Sequence, residues 1–395
     1  MSRVICNHDK CTGCSACKDV CPKQCITMQP DELDALHPVV DESVCINCGL
    51  CEKTCPNNRE LSYKLPHKVW ATWSNDKETR RTSASGGIAC ELYRYWIKNG
   101  GVATGVVYNR DEGCHFILLE KESDIKAVQN SKYTFSDTAG IYKVVKQKLQ
   151  AGVPVLFIGV PCQVAGLYGF LKKEYENLTT VDIICHGMPP VAYLKQHVEH
   201  IEKQKNELTS SLYFRDPKYY TYTFTLKNSA GKEFYNKKVL TRDNYQLGYH
   251  RALIYRENCY SCNYARKERI SDLTIGDFSG LGRFAPFEYD KHNVSCILEN
   301  TDKGAALLKK LKGALSMYER PASEAFEVEK QLKSPSVKHS GRSIFEKVYH
   351  RNRNYELASN AALKEEKNRA VKTAIILKTK VFLYNILVFL HIKKK

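Results

Sequence analysis

No apolar stretch in this sequence is long enough to cross a bilayer without interruption. The best candidate, VFLYNILVFLHI near the C-terminus, is short, and Lys378 and Lys380 break any longer run through AIILKTK. The opening MSRVICNHDK holds no apolar core of a secretory signal. No G-x-G-x-x-G run is present, and no zinc-finger, helix-turn-helix or RNA-binding signature accompanies the charge. These absences argue against a membrane-spanning protein, against export and against nucleic-acid binding. A disulfide framework is disfavoured on the same ground. Seventeen cysteines without an export signal point to metal ligation or redox work in a reducing compartment, and the expected location is the cytoplasm.

What is present fits a soluble, cored protein of several domains. The chain has 395 residues, 43% of them hydrophobic and 26% charged. The formal charge of +17 is concentrated in the last third, while the N-terminal segment is close to neutral. That basic region is expected to dock acidic carriers or anionic lipid. The C-terminal apolar run, flanked by lysines, fits either a peripheral helix on the inner face of the membrane or a helix docked on protein.

An internal repeat opens the chain. Cys11, Cys14, Cys17 and Cys21 follow C-x2-C-x2-C-x3-C-P with Pro22, and Cys45, Cys48, Cys51 and Cys55 repeat it with Pro56. Closely spaced thiolates wrap three corners of an iron–sulfur cube, and the fourth cysteine of each run ligates the other cluster. Cys11, Cys14, Cys17 and Cys55 are therefore expected to hold one [4Fe–4S] cluster, and Cys45, Cys48, Cys51 and Cys21 a second. Cys6, Cys25, Cys90, Cys114 and Cys296 fit no cluster spacing and read as ordinary thiols.

Beyond a linker from about Arg59 to Lys68, the runs GVATGVVY, VPVLFIG and TTVDIIC alternate with amphipathic segments. That pattern predicts an α/β domain with a largely parallel sheet. A β-rich stretch follows from Ser211 to Leu298, and the region from about Asp302 reads as mostly helical and basic. The expected organisation is a multidomain α+β and α/β chain: a ferredoxin-like module over 1–60, an α/β domain over 66–200, a second, C-terminal domain over 201–300, and a helical basic tail over 301–395.

Two cysteines stand at strand-to-helix junctions, Cys162 in GVPCQ and Cys185 in CHGMPP. In an open parallel sheet such junctions gather at the carboxyl edge, where ligands bind. With the C-x2-C pair Cys259 and Cys262 they make four thiols, enough for a third [4Fe–4S] cluster; the alternatives are zinc at the pair or simple buried thiols. The turn SASGG, with Ser85, Gly86 and Gly87, opens a helix and suits either an anion such as a dinucleotide pyrophosphate or plain capping. His186 is a candidate catalytic proton donor, or a hydrogen-bonding strand-end residue.

In order along the chain, SASGG, NSKYTFSD, GVPCQ, CHGMPP, and C-x2-C followed by RISDLTIGDF resemble the coenzyme F420 hydrogenase/dehydrogenase beta-subunit family. The resemblance covers roughly residues 69–300 and implies an iron–sulfur flavoprotein with an α/β flavin-binding domain. It implies FAD, cradled by Ser85, Gly86 and Gly87, with Ser131, Lys132 and Tyr133 near the flavin and Asp277 facing the same site. It also favours the third cluster on Cys162, Cys185, Cys259 and Cys262. The chain departs from the family pattern at Val160, Pro190 and Ser279, and FRDPKYYTYTF lacks a Gly-Trp, which leaves the substrate open. Some members are associated with surface-polysaccharide biosynthesis. Two functions are expected: an FAD- and [4Fe–4S]-dependent oxidoreductase fed by a ferredoxin-like carrier and acting on a small molecule, or an electron-transfer subunit serving a redox partner.

Overall fold

A computed structural model describes residues 3–138, 140–219, 222–239 and 243–368. The C-terminal apolar run lies outside the described residues. Among those described, no helix is long and apolar enough to cross a membrane.

The N-terminal repeat folds around a hairpin of β1 (Ile26–Pro30) and β2 (Leu36–Val40), paired antiparallel with Ile26 opposite Val40. Each cysteine run ends in a short helix, Ala16–Val20 and Leu50–Thr54. Both runs place left-handed residues at matching positions, Gly13 and Ser15 in the first and Asn47 and Gly49 in the second. The sequence repeat is thus also a backbone repeat. Left-handed residues alternating with ordinary ones turn successive N–H groups inward, a concavity suited to an anionic cluster.

The rest of the chain is organised on a nine-stranded sheet. Its first strands are β3 (Lys68–Ser74), β4 (Val102–Asn109), β5 (Gly113–Leu119), β6 (Ser136–Asp137), β7 (Val155–Gly159) and β8 (Leu178–Ile183). A separate antiparallel sheet follows, made of β9 (Ser211–Tyr213), β10 (Thr223–Lys227) and β11 (Glu233–Lys238). The chain then returns with β12 (Leu273–Asp277), β13 (Ser295–Glu299) and β14 (Leu315–Arg320), completing the order β14-β3-β13-β12-β8-β7-β4-β5-β6.

The expectation of a largely parallel sheet is corrected here. The inner strands β12, β8, β7 and β4 are mutually parallel, but β13, β3 and β14 add antiparallel on one side and β5 pairs antiparallel with β4 on the other. Only inner strands joined through crossover helices need to run the same way. The region after Asp302 is likewise not helical throughout: helix Asp302–Lys310 leads into β14, which pairs with β3 across the sheet. The linker is also tied down, because Lys64 and Arg269 exchange backbone hydrogen bonds of 2.8 Å.

Strand β7, VLFIG, is buried along its whole length. Val155 and Phe157 pack with Tyr142, Leu167 and Phe170 on one face. Leu156 and Ile158 pack with Ile88, Leu92 and Leu308 on the other. Burial on both faces explains why the run is continuously apolar rather than alternating. Each such side chain contributes about 1.5–3 kcal/mol on full burial.

Helix Pro161–Leu171 follows β7, with Pro161 in its first turn, where the missing N–H costs nothing. It is buried almost all round because the sheet covers one face and the cysteine module the other. Two glycines one turn apart make that second contact. A Cβ on Gly166 would lie 3.0 Å from Cys14 Sγ, and one on Gly169 would lie 2.1 Å from the Thr54 carbonyl oxygen. Thr138 Oγ1 donates to the Cys14 carbonyl at 2.7 Å, and the Gly140 N–H donates to Asp19 Oδ1 at 2.9 Å. The module is therefore seated against the α/β body.

Candidate redox centre and cofactor cavity

The eight repeat cysteines form two groups, and the groups cross between runs. Cys21, Cys45, Cys48 and Cys51 line one small cavity, with Arg3 and Ile26 in its wall. Cys17 has Cys14, Cys11 and Cys55 as its charged surroundings. Burial pushes the Cys14 thiol up to about 12 and Cys17 well above its ordinary range. A bound cation overrides that burial effect, because a coordinated thiol is deprotonated outright.

Two thiols read as ordinary from spacing sit beside these groups. Cys6 hydrogen-bonds with Cys11 and Cys55 and is pushed far up, first by those bonds and then by burial. The Cys25 Sγ lies 3.4 Å from Cys21 Sγ, and Cys45 also bears on it. Each cysteine group therefore has a fifth thiol at its edge. Spacing along the chain carries no signal for either contact, since both depend on how the two runs fold together. Cys90, Cys114 and Cys296 are buried in the α/β body.

A further group assembles at the carboxyl edge of the sheet. Cys162 opens the helix after β7, and Cys185 follows β8, whose Asp182 pairs with Gly159. Cys259 lies in the short helix Glu257–Ser261, and Cys262 ends it. The charged surroundings of Cys162 are Cys185, Cys262, Cys259 and also Cys14, behind a dominant burial effect that pushes it well up. The four expected thiols thus come together, and their neighbour across the docking face is a member of the first N-terminal group. The Met188 N–H donates to Cys259 Sγ at 3.4 Å.

Arg269 and Asp182, absent from the sequence-based candidates, hold the loops of this group. Arg269 Nη2 lies 2.6 Å from Asp182 Oδ1, and Arg269 Nη1 donates to the Tyr264 carbonyl at 3.0 Å. Asp182 precedes Cys185, and Tyr264 follows Cys262. Ser271 donates to the other carboxylate oxygen of Asp182 at 2.6 Å.

Beside this group lies a cavity of about 560 Å³, within the range of small-molecule sites, roughly 300–1,000 Å³. Ser85, Gly87, Ser131, Lys132, Tyr133 and Asp277 all line it, as do Cys185 and His186. Gly86 does not. It packs into the sheet, where a Cβ would lie 2.4 Å from the Thr72 carbonyl oxygen, so its role is to let the turn approach β3. Gly87 has φ +82°, and helix Ile88–Lys98 begins directly after it at the cavity wall. That helix start supplies unpaired N–H groups and a favourable dipole for an anion.

Lys132 is half-buried, and its ammonium donates to the carbonyls of Val128, Gln129 and Asn130 at 3.0, 2.9 and 3.1 Å. Burial lowers it to about 8. The Asn130 side-chain carbonyl oxygen is buried in the same wall with no hydrogen-bond partner among the described residues. An acceptor so placed is open to a donor from water or from a ligand. Asp277 is half-buried; Arg215 Nη1 contacts its two oxygens at 2.8 and 2.7 Å, and Tyr222 donates at 2.5 Å. Burial alone would raise this carboxyl, and Arg215 and Tyr222 hold it below the usual range. His250, on the same cavity, is driven to about 4, by burial first and then by His186 and Arg215. Arg215, Tyr222 and His250 carry no sequence signal of their own. They reach the cavity only because the small β9–β10–β11 sheet and helix Asn244–His250 fold against it.

With this geometry in place, comparison with known proteins gives two matching family models. Residues 153–325 match the C-terminal region of the coenzyme F420 hydrogenase/dehydrogenase beta subunit, and residues 10–58 match the 4Fe-4S dicluster domain. The chain is 24% identical to a subunit of the F(420)H(2) dehydrogenase of Methanosarcina mazei over 174 residues, 40% of this chain and 48% of that protein. It is 25% identical to the coenzyme F420-dependent sulfite reductase of Methanocaldococcus jannaschii over 183 residues, 45% of this chain and 28% of that protein. The matches therefore span about half of the first relative and about a quarter of the second. A ferredoxin of Methanocaldococcus jannaschii is 38% identical over 58 residues, 15% of this chain and 74% of that protein. Residues 153–325 thus match the C-terminal region of the coenzyme F420 hydrogenase/dehydrogenase beta subunit, and residues 10–58 form a 4Fe–4S dicluster domain.

Proposed function

We propose that this chain is an iron–sulfur flavoprotein oxidoreductase that passes electrons between a ferredoxin-like carrier and a small-molecule substrate. The observation that carries the reading is the position of the Cys162 group: Cys14 of the inner N-terminal group is its neighbour on one side, and its Cys185 lines the cavity on the other. Cys21, Cys45, Cys48 and Cys51 are assigned to the outer [4Fe–4S] cluster and Cys11, Cys14, Cys17 and Cys55 to the inner one. Cys162, Cys185, Cys259 and Cys262 are assigned to the third. FAD is assigned to the cavity, with Ser85, Gly87, Ser131, Lys132, Tyr133 and Asp277 as wall residues and Gly86 setting the turn. When bound, the clusters supply single-electron carriers and the flavin a centre that exchanges electrons singly or as a hydride.

The chain's own residues do the positioning. Asp182 and Arg269 hold the loops bearing Cys185 and Cys262, and Gly166 lets the inner group approach Cys162. His186, beside Cys185 at the cavity, is the proposed proton donor, while His250 stays neutral near pH 7. Cys48 is exposed, which suits the outer group to electron exchange with a carrier.

Anaerobic purification with iron, sulfide and flavin quantified on one sample tests the reading. About twelve iron, twelve sulfide and one FAD per chain are expected. About eight iron and no flavin would leave the dicluster domain alone. A second reading, an electron-transfer subunit of a larger redox complex, is favoured by the dehydrogenase subunit among the relatives and by the partial span of the matches. A stoichiometric catalytic partner in a native pull-down would establish it over the self-contained enzyme.

A further inference from the structure

Arg256 is 1% exposed and is among the largest fully buried side chains of the protein. Among the described residues, no carboxylate lies within ion-pair distance of it. Its Nη2 donates to the carbonyls of Cys11 at 3.2 Å and Leu36 at 3.0 Å, and its Nε donates to Asn258 Oδ1 at 3.3 Å. The guanidinium stands over the Phe135 ring at 5.2 Å. Its Nη1 is buried with no partner among the described residues. Neutral carbonyls and an aromatic face do not offset a charge taken out of water, a cost of several kcal/mol per ion even after relaxation. An anion is missing from this account.

The position of Arg256 says where that anion sits. A Cβ on Gly13, in the loop between Cys11 and Cys14, would lie 3.1 Å from Arg256 Nη2. On the other side, the Arg256 carbonyl accepts from the Cys259 N–H at 3.0 Å. Arg256 therefore stands between the two cysteine groups, its guanidinium against the Cys11 loop and its main chain bonded to that of Cys259. A cubane cluster held by four thiolates is a net anion in both oxidation states, and reduction adds further negative charge.

We propose that Arg256 is the shared counter-cation of the inner and third cluster sites, and that its charge raises the reduction potential of both. The proposal rests on the cluster assignments made above. A fixed positive charge in a low-dielectric interior stabilises the reduced cluster more than the oxidised one. Because one cation serves two sites, it makes electron acceptance more favourable at the junction between the cysteine module and the α/β body. Arg256 acts through charge on the clusters, as a positioning residue rather than a catalytic one.

EPR-monitored redox titration of the full-length holoprotein tests this in Arg256→Gln and Arg256→Lys, with iron measured on the same samples. In Arg256→Gln the inner and third midpoints are expected to move negative, while the outer cluster on Cys21, Cys45, Cys48 and Cys51 stays unmoved as an internal reference. Arg256→Lys, which keeps the charge, is expected to hold both midpoints near wild type. Unchanged midpoints in Arg256→Gln at full iron content overturn the proposal. If Arg256→Gln fails to load iron, Arg256→Lys decides: midpoints near wild type support the charge role, and a clear negative displacement overturns it. A wild-type protein with only two clusters would sink the third-cluster assignment instead, with the effect on the inner cluster still measured.

Discussion

Arg269 and Asp182 form an ion pair in the interior, 2.6 Å between Nη2 and Oδ1, with their side chains 2% and 0% exposed. It ties the strand leading to Cys185 to the loop following Cys262. Removing one partner of such a pair leaves a buried, uncompensated charge, at a cost of about 3–5 kcal/mol.

Arg269→Met is therefore expected to lower thermal stability and to release the third cluster before the other two. Iron should fall from about twelve to about eight per chain. The paired change Arg269→Met with Asp182→Leu should recover part of the stability, because it removes both charges. Differential scanning calorimetry with iron analysis on each variant reads both effects. Equal iron loss from all three sites would refute the local role.

Gly169→Ala should weaken the seating of the cysteine module on helix Pro161–Leu171. Its new methyl would fall 2.1 Å from the Thr54 carbonyl oxygen, and that atom is backbone and cannot swing aside. Overpacking of this kind costs about 1–3 kcal/mol. Limited proteolysis should cut faster between residues 59 and 68. Gly100→Ala is the control: no atom lies within 4 Å of its added Cβ, though its φ of +75° makes some strain common to any substitution there. Wild-type cleavage rates in Gly169→Ala would mean that the contact does not hold the module.

Cys6→Ala and Cys25→Ala should each keep wild-type iron, because the eight repeat cysteines already complete both N-terminal sites. Cys21→Ala should lose iron from the outer site. Removing the Cys25 thiol, 3.4 Å from Cys21, is expected to change the outer cluster's EPR signal or potential without changing iron content. Iron loss in Cys25→Ala equal to that in Cys21→Ala would make Cys25 a ligand.

His197 bridges two carboxylates, with Nδ1 2.5 Å from Glu356 and Nε2 3.0 Å from Asp243. It joins helix Val191–Lys205 to helices Asn244–His250 and Tyr355–Ala362. Burial would lower this imidazole, but the two carboxylates outweigh it and raise it from 6.5 to about 10. Its stabilising contribution is full below pH 6.5 and is lost as pH rises through about 10. Asp243 and Glu356 are held below their ordinary values, so their contribution is present above those values and fades at acid pH. Thermal denaturation should show wild-type stability declining from neutral pH toward pH 10, with a flatter alkaline limb in His197→Gln. Parallel pH profiles for the two proteins would remove His197 from this role.

The N-terminal cysteine groups were legible from spacing, because three cysteines of each group lie within one turn-rich loop and the fourth arrives through a repeat visible in the sequence. The third group was only partly legible. Cys162 and Cys185 announced themselves as strand-end residues, but their approach to Cys259 and Cys262 depends on β8 and β12 lying side by side. The mixed sheet was not legible at all. Strands β3 and β13 look like any apolar run, β14 (LSMYER) lies in a stretch read as helical, and local pattern carries no information on which way a distant strand pairs.

What the sequence by itself determined is therefore the chemistry that local spacing encodes: two cubane-type cysteine runs, β-strand to helix junctions bearing thiols, and a small-residue turn at a helix start. Tertiary structure alone decided which charges share an interior. It set Arg256 between two cysteine groups, paired Arg269 with Asp182, and closed the cavity with Arg215, Tyr222 and His250. These residues are far apart in the chain, and a side chain's electrostatic role is set by what surrounds it at a few ångströms rather than by its neighbours in sequence.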